Sequence, residues 1–343
     1  MNADSTLDVP AVLRSQRDGR GRFVHPWPIR DGASRGLRDL LRWRRERMRN
    51  GVEADPPADA FTIATPDVAR PRAAPDELRI TWIGHATFLI QLAGINLLTD
   101  PVWSLRASPV FWAGPRRLVP PPLPFDALPD IDAVVLSHDH YDHLDSATVR
   151  HLHRRFGSGL HWITPLGYRA WLGRRGVRNV TELDWWAHAR VDTAAGPLHV
   201  RAAPAQHWSR RTPFNERTRL WASFVLGAGH RRVFFCGDSG WFDGFDSIAR
   251  LGPFDAALLP IGAYEPRWFM KPAHMNPEEA VRAFTALGAT GLFVGMHWGT
   301  FRLTDEPAFE PPERAAAAWR ARGLPADQLW LPRHGETRTI RSR

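Results

Sequence analysis

Between Ser137 and Asp145, three histidines and three aspartates fall within nine residues, directly after the apolar run Ile131-Asp132-Ala133-Val134-Val135-Leu136. That run is short and β-branched, with a Pro-rich stretch before it and polar residues after, which predicts a buried strand. His138 and His140 two residues apart, then Asp142 and His143, cannot all face one way from a helix or a strand. They require a loop that fans them out. The cluster therefore sits at the carboxyl end of a buried strand, the rim where α/β sheets bind their ligands. Asp145 or Ser146 then caps a helix from Ser146 to Phe156.

The same arrangement recurs along the chain. Ile80–Ile83 and Phe88–Ile90 read as strands around a Gly84-His85 break, and Ile95–Thr99 delivers Asp100. Further strands are predicted at 161–164, 180–183, 198–203, 220–226, 232–236, 256–261 and 292–296, with helices at 168–174 and 277–287. Asn276 caps the last helix, with Glu279 at the capping-box position. Three strand ends carry a metal-binding residue type: His207 after Pro204-Ala205-Gln206, Asp238 in Gly237-Asp238-Ser239-Gly240, and His297 before Trp298-Gly299. His138 and His140 are spaced for one ion, and Asp142 and His143 for a second. His207 can complete the first site, His297 the second, and Asp238 can bridge them. Imidazole and carboxylate donors suit zinc first, with iron or manganese as alternatives. Taken singly, the outlying three are ambiguous: a histidine beside tryptophan is as readily a packed residue, and Asp238 as readily a turn former.

Residues 1–76 read as an N-terminal extension outside the main core, and 77–343 as the domain that carries the cluster. Phe23-Val24-His25-Pro26-Trp27-Pro28 suits an extended path across a surface, and 52–76, rich in Pro, Ala and Asp, reads as a linker. Between them, Ser34 to Asn50 is predicted to be a basic helix capped by Ser34, with Leu37, Leu40, Leu41 and Met48 on one face and seven arginines between Arg35 and Arg49. Such a helix either docks on the core or lies on an anionic membrane surface. The formal charge is +9 with Lys271 the sole lysine, and arginine pairs with phosphate in a bidentate way. The arginine bias has two readings, the base composition of the genome or an affinity for phosphate-bearing partners, nucleic acid included. No run reaches the roughly 20 apolar residues of a membrane span. The polar start Met1-Asn2-Ala3-Asp4 lacks a secretion signal's apolar core, so a cytoplasmic protein is expected, with peripheral contact at the inner membrane face through the basic helix. Cys236, the single cysteine, excludes an intrachain disulfide and reads as a buried strand thiol.

The His-Xaa-His-Xaa-Asp-His motif at 138–143, followed by a histidine, an aspartate after glycine and a last histidine at strand ends, resembles the metallo-β-lactamase superfamily. Longer blocks resemble the N-acylphosphatidylethanolamine-hydrolysing phospholipases D and their bacterial relatives: Arg22–Pro28, Trp82-Ile83-Gly84-His85-Ala86-Thr87, Leu98–Pro101, Arg106–Pro109, Asp184-Trp185-Trp186, Gln206-His207-Trp208, Pro260–Met270 and His297–Thr300. The resemblance implies an α/β chain folded as a four-layer αββα sandwich. It also implies two Zn²⁺, one on His138, His140 and His207, the other on Asp142, His143 and His297, with Asp238 bridging. Asp100 would orient the metal loop, and His274 would stand near the phosphate, although Ala273 departs from the glutamine expected before it. Tyr264, Glu265 and Arg267 would shape the wall of the site, with Glu265 serving to anchor a helix.

Two metal ions roughly 3.5–4 Å apart suit in-line hydrolysis of a phosphodiester, with Asp142, Asp238 and His274 as the catalytic residues. The expected substrate is an N-acylphosphatidylethanolamine-like phospholipid, with nucleic acid the lesser partner. The rivals are a lactonase or other phosphodiesterase on the same metals, and a non-catalytic metal-dependent binding module. Oligomeric state, homodimer included, is left open.

Overall fold

The computed structural model describes residues 13–29 and 36–341. A short hairpin, β1 (Gln16–Arg17) and β2 (Phe23–Val24), and helix α1 (Leu37–Asn50) precede the first sheet strands. These are β3 (Leu78–Gly84), β4 (Thr87–Leu92), β5 (Ile95–Thr99), β6 (Ala133–Val135), β7 (His161–Pro165) and β8 (Val180–Leu183), with α2 (Ser146–Phe156) and α3 (Arg169–Gly173) between the last three. The second series is β9 (His188–Thr193), β10 (Gly196–Ala203), β11 (Ser223–Ala228), β12 (Arg231–Phe235), α4 (Phe245–Ala249), β13 (Ala256–Pro260), α5 (Arg267–Met270), α6 (Pro277–Ala286), β14 (Leu292–Met296), α7 (Glu310–Ala321), β15 (Leu329–Trp330) and β16 (Thr337–Ile340).

Among the described residues these form two seven-stranded sheets, ordered β16-β3-β4-β5-β6-β7-β8 and β15-β14-β13-β12-β11-β10-β9. Period-two alternation sorts the side chains. Ile80, Trp82, Phe88, Ile90, Leu97 and Val135 face the second sheet and join one core with Leu198, Val200, Phe224 and Leu226. Ile83, Leu89, Leu98, Val134 and Trp162 face the other way, onto Val149 and Leu152 of α2 and Leu172 of α3. On the far side, Phe284 of α6 and Trp319 of α7 pack on Phe293 of β14. The result is the four-layer αββα sandwich.

Strand direction then places the site. β3 and β5 are each antiparallel to β4, and β5 is parallel to β6, so these three strands end on one rim of the first sheet. β10 and β12 flank β11 antiparallel, and β12, β13 and β14 are parallel, so β10, β12 and β14 share a rim of the second. His85, Asp100, the 138–143 loop, His207, Asp238 and His297 all follow these six strands.

Several expectations are revised. Phe23 is 1% exposed and Leu13 joins the main core, while Trp27 stacks on Trp185 and Phe242; the aromatic segment is inserted rather than laid across a surface. The presumed linker is an anchored strap: Arg72 pairs with both oxygens of Asp132, Gln91 donates to Ala69 O, and Phe61 and Ala73 are buried. In α1 the N-cap is Gly36, whose amide donates to Asp39; Ser34 lies outside the described residues. The helix docks through Trp43, which donates to Asp305 and meets Phe269 at 5.0 Å, leaving Leu41 50% and Met48 77% exposed. Leu41 and Met48 therefore lie off the docking seam. Strands β9 and β16 and helix α7 are not anticipated, since β9 and β16 are half-exposed and polar and α7 opens on Glu-Pro-Pro.

Candidate metal centre

The loop after β6 crosses from the buried strand to α2, whose N-cap is Asp145 accepting from the Ala147 amide. Asp100, at the end of the neighbouring β5, accepts from the Ser137 amide (2.7 Å), the Ser137 hydroxyl (2.5 Å) and His143 Nδ1 (2.6 Å). One buried carboxylate thus sets the start and the last histidine of the loop, the orienting role expected of it. Arg211 spans the same loop from outside, donating to the carbonyls of Asp139 (2.9 Å) and Leu144 (2.6 Å), with its guanidinium 4.1 Å from the centre of the Tyr141 ring. Arg219 pairs with Asp139 at 2.6 Å. These two arginines were not singled out from the sequence. Nothing local marks them, because their partners lie some 70 to 80 residues away.

Three imidazoles converge at one point. His138 Nε2 is 2.9 Å from His140 Nδ1, which is 3.1 Å from His207 Nε2. The outer nitrogens are spoken for. His207 Nδ1 must donate to Ala273 O (3.0 Å), and His138 Nδ1 donates to Ser137 Oγ (2.9 Å), whose own proton goes to Asp100. In the neutral rings the inner nitrogens of His138 and His207 therefore carry lone pairs. Lone pairs brought this close repel unless a shared proton or a cation stands among them.

A second group adjoins it. His143 Nε2 lies 3.2 Å from His297 Nε2, and Asp142 Oδ2 is 3.3 Å from the former and 3.5 Å from the latter. Asp238 stands between the groups, with Oδ2 3.8 Å from His138 Nε2, 3.7 Å from His207 Nε2 and 3.2 Å from His143 Nε2, and Oδ1 3.1 Å from His297 Nε2. His274 Nδ1 is 3.9 Å from Asp238 Oδ2. All seven residues predicted as ligands are thus gathered in one patch, with His274 at its edge.

The electrostatics call for a cation. Burial drives His138 and His207 well below the usual imidazole range, with His143 and His140 respectively adding repulsion. Burial also opposes charge on His143 and His297, yet Asp238 and Asp142 outweigh it and raise both, His297 to about 9. The carboxylates of Asp142 and Asp238, in spite of burial, are held well below their ordinary range by the same histidines. Without metal, protons would have to neutralise this centre. A donor set of neutral imidazoles and ionised carboxylates fits a divalent metal such as zinc, and the buried grouping offers two overlapping places for one.

Around this patch, Arg267 donates to His274 O (2.9 Å) and to Glu279 (2.8 Å), so the α6 capping box also fixes His274. Glu265 accepts from the Arg267 amide and anchors α5, while Tyr264 turns away to Glu310. His85, read from sequence only as a strand break, reaches Asp142 at 2.8 Å. The Gly-His pair between two strands was the available signal. Cys236 is buried, and burial pushes its thiol up.

A model of the Beta-lactamase superfamily domain matches residues 95–298. N-acyl-phosphatidylethanolamine-hydrolyzing phospholipase D 1 of Caenorhabditis elegans is 41% identical over 71% of this chain and 70% of its own length. An uncharacterized protein of Mycobacterium tuberculosis is 45% identical over 77% of this chain and 70% of its own. Among solved structures, the metallo hydrolase Igni18 of Ignicoccus hospitalis superposes with a TM-score of 0.57 at 22% identity, covering 78% of this chain and 100% of that one. That likeness speaks to the fold alone. Among the described residues no helix is long and apolar enough to cross a membrane. With the matching family model, the similar phospholipases and the αββα sandwich in agreement, the chain belongs to the β-lactamase superfamily of metal-dependent hydrolases.

Proposed function

We propose that this protein is a binuclear zinc phosphodiesterase of phospholipase D type acting on N-acylphosphatidylethanolamine-like phospholipids. The observation that carries the reading is the buried convergence of His138, His140 and His207 beside Asp142, His143 and His297 across Asp238, in a chain 41% identical to a phospholipase of that specificity. In this reading His138, His140 and His207 would hold one ion and Asp142, His143 and His297 the second, with Asp238 available to both. Two such ions would supply Lewis acidity toward a phosphoryl oxygen and would make water a competent nucleophile near neutral pH.

The chain's own residues do the rest. Asp100 and Ser137 keep the protons of His143 and His138 on their outer nitrogens, so that the inner ones stay available. In this reading His274, which Arg267 holds through its carbonyl and which lies 3.9 Å from Asp238, gives a proton to the departing alkoxide as the P–O bond breaks. Water adds to phosphorus, leaving a phosphatidic acid and an N-acylethanolamine. In this reading the exposed basic face of α1 meets an anionic membrane surface, and the natural partner is phospholipid rather than nucleic acid.

The test is metal analysis of the purified protein together with a substrate screen of N-acylated and ordinary phospholipids, bis(p-nitrophenyl) phosphate and a lactone. Two zinc equivalents and preferential release of phosphatidic acid from the N-acylated lipid are expected. His138→Ala or Asp238→Asn should lose both turnover and metal. Full activity in either variant would sink the assignment, iron or manganese in place of zinc would correct the metal, a preference for the lactone would redirect the substrate, and bound metal with no turnover would leave a binding module.

A further inference from the structure

The block Trp82-Ile83-Gly84-His85-Ala86-Thr87 is left without a task by the seven-residue assignment, yet the structure builds it around the centre. Gly84 has φ +136°, and a Cβ there would stand 3.2 Å from Thr300 Oγ1 and 3.3 Å from Arg117 Nη1. His85 follows with φ 58° and is 1% exposed. A left-handed conformation at a non-glycine residue is strained and persists only where the surroundings impose it. Here they do. The His85 amide donates to Thr300 Oγ1 (2.7 Å), and its carbonyl accepts from His297 N (3.1 Å) and Trp82 Nε1 (2.8 Å). His297 is itself left-handed, φ 65°, and its ring lies 3.8 Å from that of His85, centre to centre. The end of β3 is thereby locked to the loop carrying His297.

The imidazole of His85 completes the lock on the other side. Its Nε2 is 2.8 Å from Asp142 Oδ2, a hydrogen-bond distance, against 3.3 and 3.5 Å from the same oxygen to His143 and His297. Since an ionised carboxylate only accepts, Nε2 carries the proton. We propose that His85 is a positioning residue, whose Nε2–H aims the Asp142 carboxylate at His143 and His297 and so sets the affinity of the second metal position. This rests on the two-ion reading above. The competing arrangement, His85 as a fourth ligand, uses the same cluster of His85, Asp142, His143 and His297 and predicts a different response to substitution.

The experiment is titration of metal-stripped protein with Zn²⁺ against a competing chelator, which needs no substrate. Wild type should take up two equivalents. His85→Phe should leave the first unchanged and weaken the second about 10- to 100-fold, the usual effect of losing a residue that orients a ligand. His85→Gln, whose amide nitrogen reaches the place of Nε2, should return the second affinity to within a few-fold of wild type. A metal ligand would not be replaced by an amide in this way. An unaltered second affinity in His85→Phe overturns the proposal, and so does His85→Gln as weak as His85→Phe. Should His85→Phe not fold, His85→Asn takes its place, because asparagine tolerates the left-handed backbone but is too short to reach Asp142. Wild type binding fewer than two ions would instead remove the two-ion reading itself.

Discussion

His334 is buried against Trp82, with ring centres 4.3 Å apart, and its Nε2 is 2.9 Å from Thr300 Oγ1, the same hydroxyl that accepts the His85 amide. Burial first, then the nearby Arg117, lowers its pKa to about 3. His25, packed between Trp27 and Trp221 with its ring tilted to both, is lowered to about 3 by burial and Arg217. In each case the unfolded chain, with an ordinary value of 6.5, binds a proton that the folded one refuses. Stability from each group is therefore complete above about pH 6.5 and falls as pH drops toward 3, by up to about 1.4 kcal/mol per pH unit. Urea midpoints measured between pH 6.5 and 4.5 should fall less steeply in His334→Gln than in wild type. Equal slopes would mean that His334 is protonated in the fold. Asp100 illustrates the opposite condition: its carboxylate is raised by burial, with His143 the chief opposing influence, and its three donors all belong to the loop it orients.

Among the elements, α1 couples a docked face to a free one. Trp43, Glu46 and Arg47 meet Asp305, Trp268 and Phe269, while Arg38, Arg44, Arg45 and Arg49 stand exposed beside Leu41 and Met48. If this face meets anionic lipid, removing residues 36–50 should lower binding to anionic vesicles, and the difference should shrink as salt rises. Equal binding by both proteins at low salt would dismiss the contact. The metal loop shows how an element is held from outside itself. Asp100 grips it from the end of β5, and Arg211 and Arg219 grip it from the 204–222 segment, so its shape depends on two other parts of the chain.

At the scale of the whole molecule, the first 76 residues are where the sequence and the structure differ most. Phe23 and Leu13 enter the main core, Phe61 and Ala73 are buried, and Arg72 clamps Asp132. Burying one such large apolar side chain contributes about 1.5–3 kcal/mol. A chain beginning at residue 77 should accordingly show a lower urea midpoint and poorer soluble yield than the full chain; matched midpoints would make 1–76 a separable extension. The apolar strands, the helix after the metal loop and the capped α6 were legible because periodicity and caps act over a few neighbouring residues. So were the seven His and Asp candidates, since each follows a strand whose apolar run is visible. The docking of Trp43, the strap through Arg72, strand β16 and the grip of Arg211 were not, because their energy comes from partners distant in sequence. His85 belongs with them: its Gly-His signature is local, but the reason for it is Asp142, 57 residues on. The sequence by itself determined the strand order of the donors and the chemical type of the centre. Only the tertiary structure decided which lone pairs face inward, because that depends on what holds the far side of each ring.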